Sequence, residues 1–324
     1  MKILKFHNLA VLGILIILVC SLLGYLGRFN YLLDLTNHFH VYYWLGALIL
    51  LAFFLFTKKW RWIGVALICL ILNSVVLYPW TVRSLQDNDP DPDGWASIKL
   101  VHSNVEYDNT DYAQLISYVN ETSPDVLVLQ EINKEWMPHL TELPKTFPYS
   151  KIEPSGHGSG IAIYSKIPFE KVETLDLCAG CRLSLYAQFK VGEHVIDFVT
   201  MHPSTPISPG KAAARNRQFE AVANYLNTLA NRKILLGDFN DTMWSYHHAQ
   251  LLEKTKLVNV RTRAKSFINP SWPSWLMLKP LMIPIDQCLI SPNIWVSSVK
   301  TGRDIGSDHL PLEVKLLFAP PKKN

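Results

Sequence analysis

The sequence predicts an α/β domain in which β-sheets pack together with α-helices outside them, preceded by three membrane-spanning helices. The first 82 residues contain three long apolar stretches without a charged residue, and from about residue 97 short apolar strands alternate with a few amphipathic helices. The chain is 49% hydrophobic with a mean hydropathy of +0.11, which is more apolar than is usual for a soluble protein. These observations favour a membrane anchor joined to a layered α/β domain.

The three apolar stretches cover about residues 9–26, 41–57 and 62–80. Each is long enough to cross a bilayer as a helix, which needs roughly 17 to 25 residues. Buried helices of a soluble domain would rarely lack a charge over such lengths. A cleaved signal peptide is also disfavoured, because no small-residue cleavage site follows the first stretch and two further apolar stretches do.

Basic residues at the ends of these stretches predict their orientation. Lys2 and Lys5 precede the first stretch, and Lys58, Lys59 and Arg61 lie between the second and the third. Because Lys and Arg are enriched in cytoplasmic loops, the N-terminus is predicted to be cytoplasmic. Three crossings then place the rest of the chain in the periplasm or otherwise outside the cytoplasm. This pattern predicts a multi-pass protein of the inner, or cytoplasmic, membrane.

The charge distribution follows the same division. Residues 1–82 hold six of the 31 Lys and Arg and one of the 27 acidic residues, so the net charge of +4 arises in the anchor. The remainder is nearly neutral, which argues against a basic face for nucleic acid.

Composition predicts four regions: a membrane anchor at 1–82, an acidic linker rich in Pro and Asp at 83–96, a globular domain at 97–318 and a tail at 319–324. Within the globular domain, apolar runs and their spacing predict strands and two helices. The strands are 97–104, 125–131, 159–166, 193–202, 233–238, 285–291 and 312–318, and the helices are 111–122 and 211–231.

Polar residues gather at the ends of these strands. Any one of them could cap a turn, but many at one sheet edge predict a site, because clefts form there. Oxygen ligands without a His/Cys cluster favour Mg²⁺ or a similar ion over zinc. A cation with imidazoles and a spare carboxylate suits metal-assisted hydrolysis of a phosphate ester. The residues are Asn104, Glu131, His202, Asp238, Asn240, Asp286, Asp308 and His309.

Seven motifs lie in order between residues 103 and 312: SNVEYDN, LQEIN, SGIAIYSK, MHPSTP, LLGDFND, IDQCLIS and GSDHLPL. Their order resembles that of the endonuclease/exonuclease/phosphatase (DNase I-like) superfamily. The resemblance covers roughly residues 97–318. It implies a four-layer α/β sandwich, in which two packed mixed sheets are flanked by helices. With three helices in front, the chain is similar to the membrane-anchored bacterial branch.

The resemblance also implies a metal site that binds Mg²⁺ or Mn²⁺. Glu131 corresponds to the principal metal ligand, with Asn104 and Asp308 beside it. Related sequences often have His after the Asp of the ID motif, where this chain has Gln287. That difference is either a structural variation or a change in the substrate rim.

The catalytic roles are likewise implied by the resemblance. Asp238 corresponds to the base or orienter of the attacking water, and Asn240 to a residue that holds the phosphate in the transition state. His202 and His309 correspond to phosphate binders, and Asp286 to the partner that orients His309.

These roles predict a metal-dependent phosphoester hydrolase acting outside the cytoplasm. Its predicted partners are the lipid bilayer and a phosphoester substrate, for which a lipid-linked phosphate or phospholipid is favoured. The alternatives are a membrane-tethered nuclease acting on DNA or RNA, and an inactive binding module. No obligatory protein partner is expected.

A basic and aromatic stretch bears on the substrate. Arg261 and Arg263 lie in a basic run, followed by Trp272 and Trp275 in a Pro-broken apolar run. The ordinary interpretation is a buried connection between strands. The alternative is a rim facing an anionic membrane surface, because Trp with nearby Lys or Arg suits such a surface.

Two of the five cysteines, Cys178 and Cys181, flank the dipeptide Ala-Gly. Because disulfides persist outside the cytoplasm, we predict a bridge that stiffens a hairpin turn. A thiol-redox role would need a thioredoxin-like context. A zinc site would need two further ligands, which the neighbouring sequence does not supply.

Overall fold

The computed structural model describes residues 2–82, 94–264, 268–276 and 281–320. The chain divides into two compact units, Met1–Val82 with Thr242–Ala249, and Arg83–Asp241 with Gln250–Asn324. Residues 83–93 of the predicted linker and 321–324 of the predicted tail lie outside the described residues.

The first unit is helical. It contains α1 (Lys2–Gly24), α2 (Tyr31–Leu35), α3 (His40–Phe56) and α4 (Trp60–Val82), and a 3₁₀ turn at Thr36–Phe39 joins α2 to α3. Three stretches are long and apolar enough to cross a membrane, Phe6–Gly24, Tyr31–Phe56 and Trp60–Trp80. The second begins earlier than its predicted start near residue 41, because the α2 segment continues its apolar run.

A buried polar network joins the apolar helices of this unit. Asn73 on α4 donates to Ser21 Oγ on α1 at 2.9 Å, and His40 Nδ1 on α3 lies 2.7 Å from Asn73 Oδ1. Asn37 Oδ1 lies 3.1 Å from the other ring nitrogen of His40. Polar side chains that bond across helices stabilise membrane bundles, where no water would otherwise satisfy them.

The second unit contains two six-stranded sheets. The strands are β1 Ala96–Asn104, β2 Val126–Gln130, β3 Tyr149–Glu153, β4 Ile161–Ser165, β5 Phe169–Leu175, β6 Ser184–Val191, β7 His194–Met201, β8 Arg232–Asp238, β9 Val258–Asn259, β10 Asp286–Ile290, β11 Trp295–Thr301 and β12 Leu312–Phe318. In spatial order the first sheet is β11-β12-β1-β2-β4-β3 and the second is β5-β6-β7-β8-β10-β9.

The helices of this fold lie outside the sheets. They are α5 (Tyr112–Thr122), the short α6 (Leu143–Thr146) and α7 (Pro209–Thr228), with 3₁₀ turns at Met137–Leu140 and Val260–Thr262. A further helix, α8 (Tyr246–Thr255), begins in the first unit and ends in the second. A central core joins the inner faces of the two sheets, and separate cores pack α5 on the first sheet and α7 on the second. This layering confirms the predicted four-layer sandwich.

The strand register brings the predicted site residues to one end of the sandwich. β1 and β2 are parallel with Asn104 opposite Gln130, so the carboxyl ends of these two strands lie side by side. β7 and β8 are also parallel, and β10 runs antiparallel to β8 with Asp286 opposite Asp238. The carboxyl ends of the two parallel pairs thus meet the start of β10.

Gln130 ties the two sheets together beneath this end. Its amide donates to Met201 O at 2.9 Å, and its Oε1 accepts from the backbone N–H of Asp238 at 2.9 Å. Gly237 allows the approach, because a Cβ there would collide with Met201 O and would lie 2.6 Å from Gln130 Nε2.

Candidate active site

Asn104 joins two carboxylates at the centre of the site. Its Nδ2 lies 3.2 Å from Glu131 Oε1 and 3.2 Å from Asp238 Oδ2. Glu131 has a φ of +67°, a backbone region that non-glycine residues rarely adopt. Its N–H donates to Gly160 O at 2.8 Å, which holds the turn that follows β2. Strained backbone of this kind clusters at functional sites.

Further carboxylates adjoin Glu131. Glu106 Oε2 accepts from the Asp308 backbone N–H at 2.9 Å, and Asp308 Oδ2 accepts from Trp272 Nε1 at 2.9 Å. Burial raises the pKa of Glu106, and the Asp308 carboxylate adds to that rise. Burial likewise raises the pKa of Asp308, with Glu131 and Asp238 contributing in the same direction. Such mutually repelling oxygens fit a hard divalent cation, which would relieve the repulsion.

His309 is held between two buried aspartates. Its Nδ1 lies 2.9 Å from Asp286 Oδ2, and its Nε2 lies 3.7 Å from Asp238 Oδ2. Burial opposes the charge on His309, but the two carboxylates outweigh burial and raise its pKa to about 10. Burial by itself would raise the pKa of Asp238, yet His309 and His202 hold that pKa below its usual value. Asp238 is therefore ionised at neutral pH.

The second histidine approaches Asp238 from the end of β7. His202 Nε2 lies 3.4 Å from Asp238 Oδ2 and 3.6 Å from Glu131 Oε1. Asn240 is fixed nearby, because its N–H donates to Asp238 Oδ1 at 2.7 Å and its Nδ2 to Pro203 O at 3.0 Å. Like Glu131, Asn240 has a positive φ, here +49°.

The structure therefore brings the eight predicted metal and catalytic residues into one network. It also adds three residues that sequence reasoning missed: His102, Glu106 and Arg182. His102 Nδ1 lies 3.2 Å from Asp286 Oδ1, and both side chains are fully buried. His102 lies two residues before Asn104 on β1, so strand alternation places both side chains on one face. From that spacing, His102 could have been predicted as a site residue.

Arg182 was harder to find, because it lies in the loop between β5 and β6 rather than at a predicted strand end. Its Nη1 lies 3.0 Å from each ring nitrogen of His202. Burial lowers the pKa of Arg182, whereas the Glu131 and Asp238 carboxylates oppose that shift.

Arg261 is not part of a substrate or membrane rim, which corrects the prediction made from the basic stretch. It is 2% exposed and donates to Gln287 Oε1, Ile268 O, Asn269 O and Asp286 O. A fully buried guanidinium with these carbonyl partners connects strands and cannot meet a solvent-side substrate.

Gln287 belongs to the same internal network. Its Oε1 accepts from Asn259 Nδ2 at 2.8 Å and its Nε2 donates to Pro284 O at 2.6 Å. Its position therefore favours the structural variation over an altered rim. Of the other predicted rim residues, Arg263 and Trp272 are half-buried and Trp275 is exposed.

Cys178 and Cys181 form a disulfide in the loop between β5 and β6. The Cys181 N–H donates to Cys178 O at 3.0 Å, and Gly180 supplies the positive φ of +73° that the turn needs. The bridge stands one residue before Arg182.

The sequence of the chain matches one known protein family. The sequence model of the "Endonuclease/Exonuclease/phosphatase family" matches residues 101–309. The chain belongs to the endonuclease/exonuclease/phosphatase family. Endonucleases, exonucleases and phosphatases, for which the family is named, all hydrolyse phosphoester bonds. No curated protein matches the chain.

Solved structures share the fold of this family member at low sequence identity. TDP2 from D. rerio, complexed with a single-strand DNA product, is 16% identical with a TM-score of 0.58, and the match covers 68% of this chain and 98% of that one. A functionally unknown conserved protein from Enterococcus faecalis is 20% identical with a TM-score of 0.57, covering 68% and 99%. An endonuclease/exonuclease/phosphatase from Beutenbergia cavernae is 16% identical with a TM-score of 0.57, covering 69% and 72%.

Proposed function

We propose that this member of the endonuclease/exonuclease/phosphatase family is a membrane-anchored, metal-dependent phosphoester hydrolase whose active site lies outside the cytoplasm. The observation that carries the proposal is the environment of Asp238. Its buried, ionised carboxylate lies within 3.7 Å of Asn104, His202 and His309.

These residues support hydrolysis by an activated water. The ionised Asp238 accepts a proton from the attacking water or orients that water. A general base must lie within hydrogen-bond reach of the proton that it removes. His309 carries positive charge, and Asp286 fixes which edge of its ring faces the site. His309, His202 and Asn240 can then donate to phosphate oxygens, where negative charge develops in the transition state.

Glu131 and Asp308 would hold the metal ion, for which we propose Mg²⁺ or Mn²⁺, and Asn104 would position Glu131 by donating its Nδ2 to Glu131 Oε1. When bound, such an ion polarises a phosphoryl oxygen and stabilises its charge. Burial, and to a lesser degree the neighbouring carboxylates, raise the pKa values of Asp308 and Glu106, and a cation bound beside them would offset both effects.

The surface around the site favours a lipid-linked phosphate or a phospholipid headgroup as substrate. Four large apolar side chains are exposed on loops that lead to or from the site strands: Tyr107 (45%), Ile207 (65%), Trp275 (69%) and Leu281 (45%). Tyr107 follows β1, Ile207 follows β7, and Trp275 and Leu281 precede β10. Exposed apolar groups on loops beside a functional site mark interaction surfaces.

The proposal is tested with the full-length protein in lipid nanodiscs and added Mg²⁺ or Mn²⁺. The substrates are phospholipid, polyprenyl pyrophosphate, plasmid DNA and the soluble ester bis(p-nitrophenyl) phosphate. We expect lipid-phosphate cleavage that Asp238→Asn abolishes. DNA nicking without lipid cleavage would instead indicate a tethered nuclease, and no turnover of any substrate would contradict a hydrolase.

The contribution of the apolar rim is tested by Trp275→Ser in the same nanodiscs. We expect turnover of the lipid substrate to fall while turnover of bis(p-nitrophenyl) phosphate stays unchanged, because only the lipid needs the interface. Tyr149→Ser, at an exposed aromatic on β3, a strand that carries no residue of the site, is the matched control. Equal turnover of the lipid substrate by wild type and Trp275→Ser would remove the support for an interfacial substrate.

A further inference from the structure

Arg182 places a guanidinium against the catalytic network, and none of the roles above uses it. Within the described residues, its side chain has one hydrogen-bonding partner, His202, whose unprotonated ring nitrogen can accept from Nη1 at 3.0 Å. A guanidinium has five N–H donors, so most of them remain available. The nearby Glu131 and Asp238 carboxylates interact electrostatically with it. The arrangement leaves a cation with spare donors where a phosphate would bind.

The backbone of Arg182 is fixed by a buried glutamine on α7. Its N–H donates to Gln218 Oε1 at 3.3 Å, and Gln218 Nε2 donates to Arg182 O at 3.0 Å. Gln218 Nε2 also lies 3.2 Å from Ser184 Oγ, at the start of β6. Gln218 is 1% exposed, so it forms a rigid support on the protein side of the loop.

The disulfide fixes the other side of the same loop. The strand ladder stops at the pair Leu175–Ser184, so the segment between them has no ladder hydrogen bonds to set its path. The Cys178–Cys181 bridge closes the turn within that segment, and Cys181 Sγ lies 3.8 Å from Ala214 O on α7. A cross-link restricts the conformations of a loop that would otherwise be mobile. Because Arg182 directly follows Cys181, the bridge also restricts the backbone of Arg182.

We propose that Arg182 binds a non-bridging oxygen of the substrate phosphate beside His202, and that the Cys178–Cys181 disulfide is the device that positions it. Arginine suits this role because its planar fork can present two parallel donors to a phosphate, whereas lysine presents a point charge. The identity of the substrate as a phosphoester rests on the proposed function. The anion site itself rests on the geometry of Arg182.

The first test compares Arg182→Gln and Arg182→Lys with Arg303→Gln in the full-length protein in nanodiscs. Arg303 is a matched control, because it bonds at the surface to Glu121. We measure kcat and KM on bis(p-nitrophenyl) phosphate and the affinity for inorganic phosphate by calorimetry. Removing a charged donor to a transition-state oxygen costs about 10²- to 10³-fold in kcat. We expect a loss of that order and at least tenfold weaker phosphate binding in Arg182→Gln, with a smaller loss in Arg182→Lys.

The second test asks whether the bridge acts through Arg182. Reductant should lower the turnover of the wild-type protein, and Cys178→Ser/Cys181→Ser should start at that lower level and not respond to reductant. In the Arg182→Gln background, opening the bridge should have little further effect, because residues that act as a unit are non-additive. Thermal unfolding of each variant checks that the fold persists, and Arg182→Lys carries the first test if the Gln variant unfolds.

The outcomes separate this inference from the proposed function. Wild-type turnover and phosphate affinity in Arg182→Gln would overturn the anion-binding role while the hydrolase stands. An equal effect of reductant with and without Arg182 would overturn the positioning role of the disulfide. Arg182-dependent phosphate binding in a protein that hydrolyses no ester would support the inference and contradict the proposed function.

Discussion

His309 Nδ1 lies 2.9 Å from Asp286 Oδ2, and the register of β10 against β8 sets that aspartate opposite Asp238. One strand pairing therefore presents both the carboxylate that we propose as the base and the carboxylate that contacts the histidine. Both aspartates are buried, so their charges act at close range on one imidazole.

Asp286→Asn should lower kcat about 10²- to 10⁴-fold, the range that a positioned acid or base contributes. The amide keeps the shape but loses the charge that stabilises the imidazolium. Turnover of bis(p-nitrophenyl) phosphate by the full-length protein measures the effect. Asp111→Asn, at a surface aspartate that accepts from Gln114, is the control and should be silent. Unchanged kcat in Asp286→Asn would contradict its role.

His102→Leu should lower kcat about tenfold, which corresponds to losing one buried contact to a charged group. His102→Asn, which retains a side-chain N–H, should recover most of that loss. KM should change little in both variants, because His102 acts on Asp286 and not on the substrate. Equal losses in the Leu and Asn variants, in step with their melting temperatures, would show that His102 only fills space.

Gln130→Leu should destabilise the globular unit by about 2–4 kcal/mol, because the Asp238 N–H and Met201 O would lose their partner. The expected readout is a lower melting temperature by circular dichroism. Gln114→Leu removes a surface hydrogen bond to Asp111 and should leave the melting temperature nearly unchanged. Equal melting temperatures for the two variants would contradict the bridging role of Gln130.

Removal of divalent cations with EDTA should abolish turnover, and Mg²⁺ or Mn²⁺ should restore it. Glu131→Gln should raise the half-saturating metal concentration at least about tenfold, because one charged ligand is lost. The exposed Glu135→Gln, four residues further on, is the matched control. Full turnover in EDTA, or equal metal requirements in both variants, would contradict the metal site.

Much of the fold could be predicted from the sequence, because apolar periodicity marks buried strands directly. The strands that carry site residues or directly precede them, β1, β2, β7, β8 and β10, overlap predicted ones. The strands that were not predicted, β3, β5, β6, β9 and β11, lie mostly at or near the edges of the two sheets. Outer strands are stabilised by their neighbours more than by their own pattern, and local sequence shows such partners poorly.

The site was predictable only where a strand end carries a distinctive motif. Arg182 lies in a loop whose backbone is held by Gln218 and by the adjacent disulfide. The contact with Gln218 joins residues far apart in the sequence, so local sequence patterns do not show it. Arg261 shows the opposite error. It lies in a basic run that is typical of a solvated face, yet it turns inward to Gln287 and backbone carbonyls. A run of charged residues does not show which of them is buried, because burial depends on packing between segments that are distant in the sequence.

The most direct test of the account is the metal-dependent turnover of bis(p-nitrophenyl) phosphate by the full-length protein in nanodiscs, with Asp238→Asn measured beside it. We expect Mg²⁺- or Mn²⁺-dependent hydrolysis by the wild-type protein and a loss of at least about 10²-fold in the variant, whose thermal unfolding should remain cooperative. Equal turnover by the two proteins, or no turnover by the wild type with any metal, would contradict the assignment of Asp238 and the hydrolase built around it.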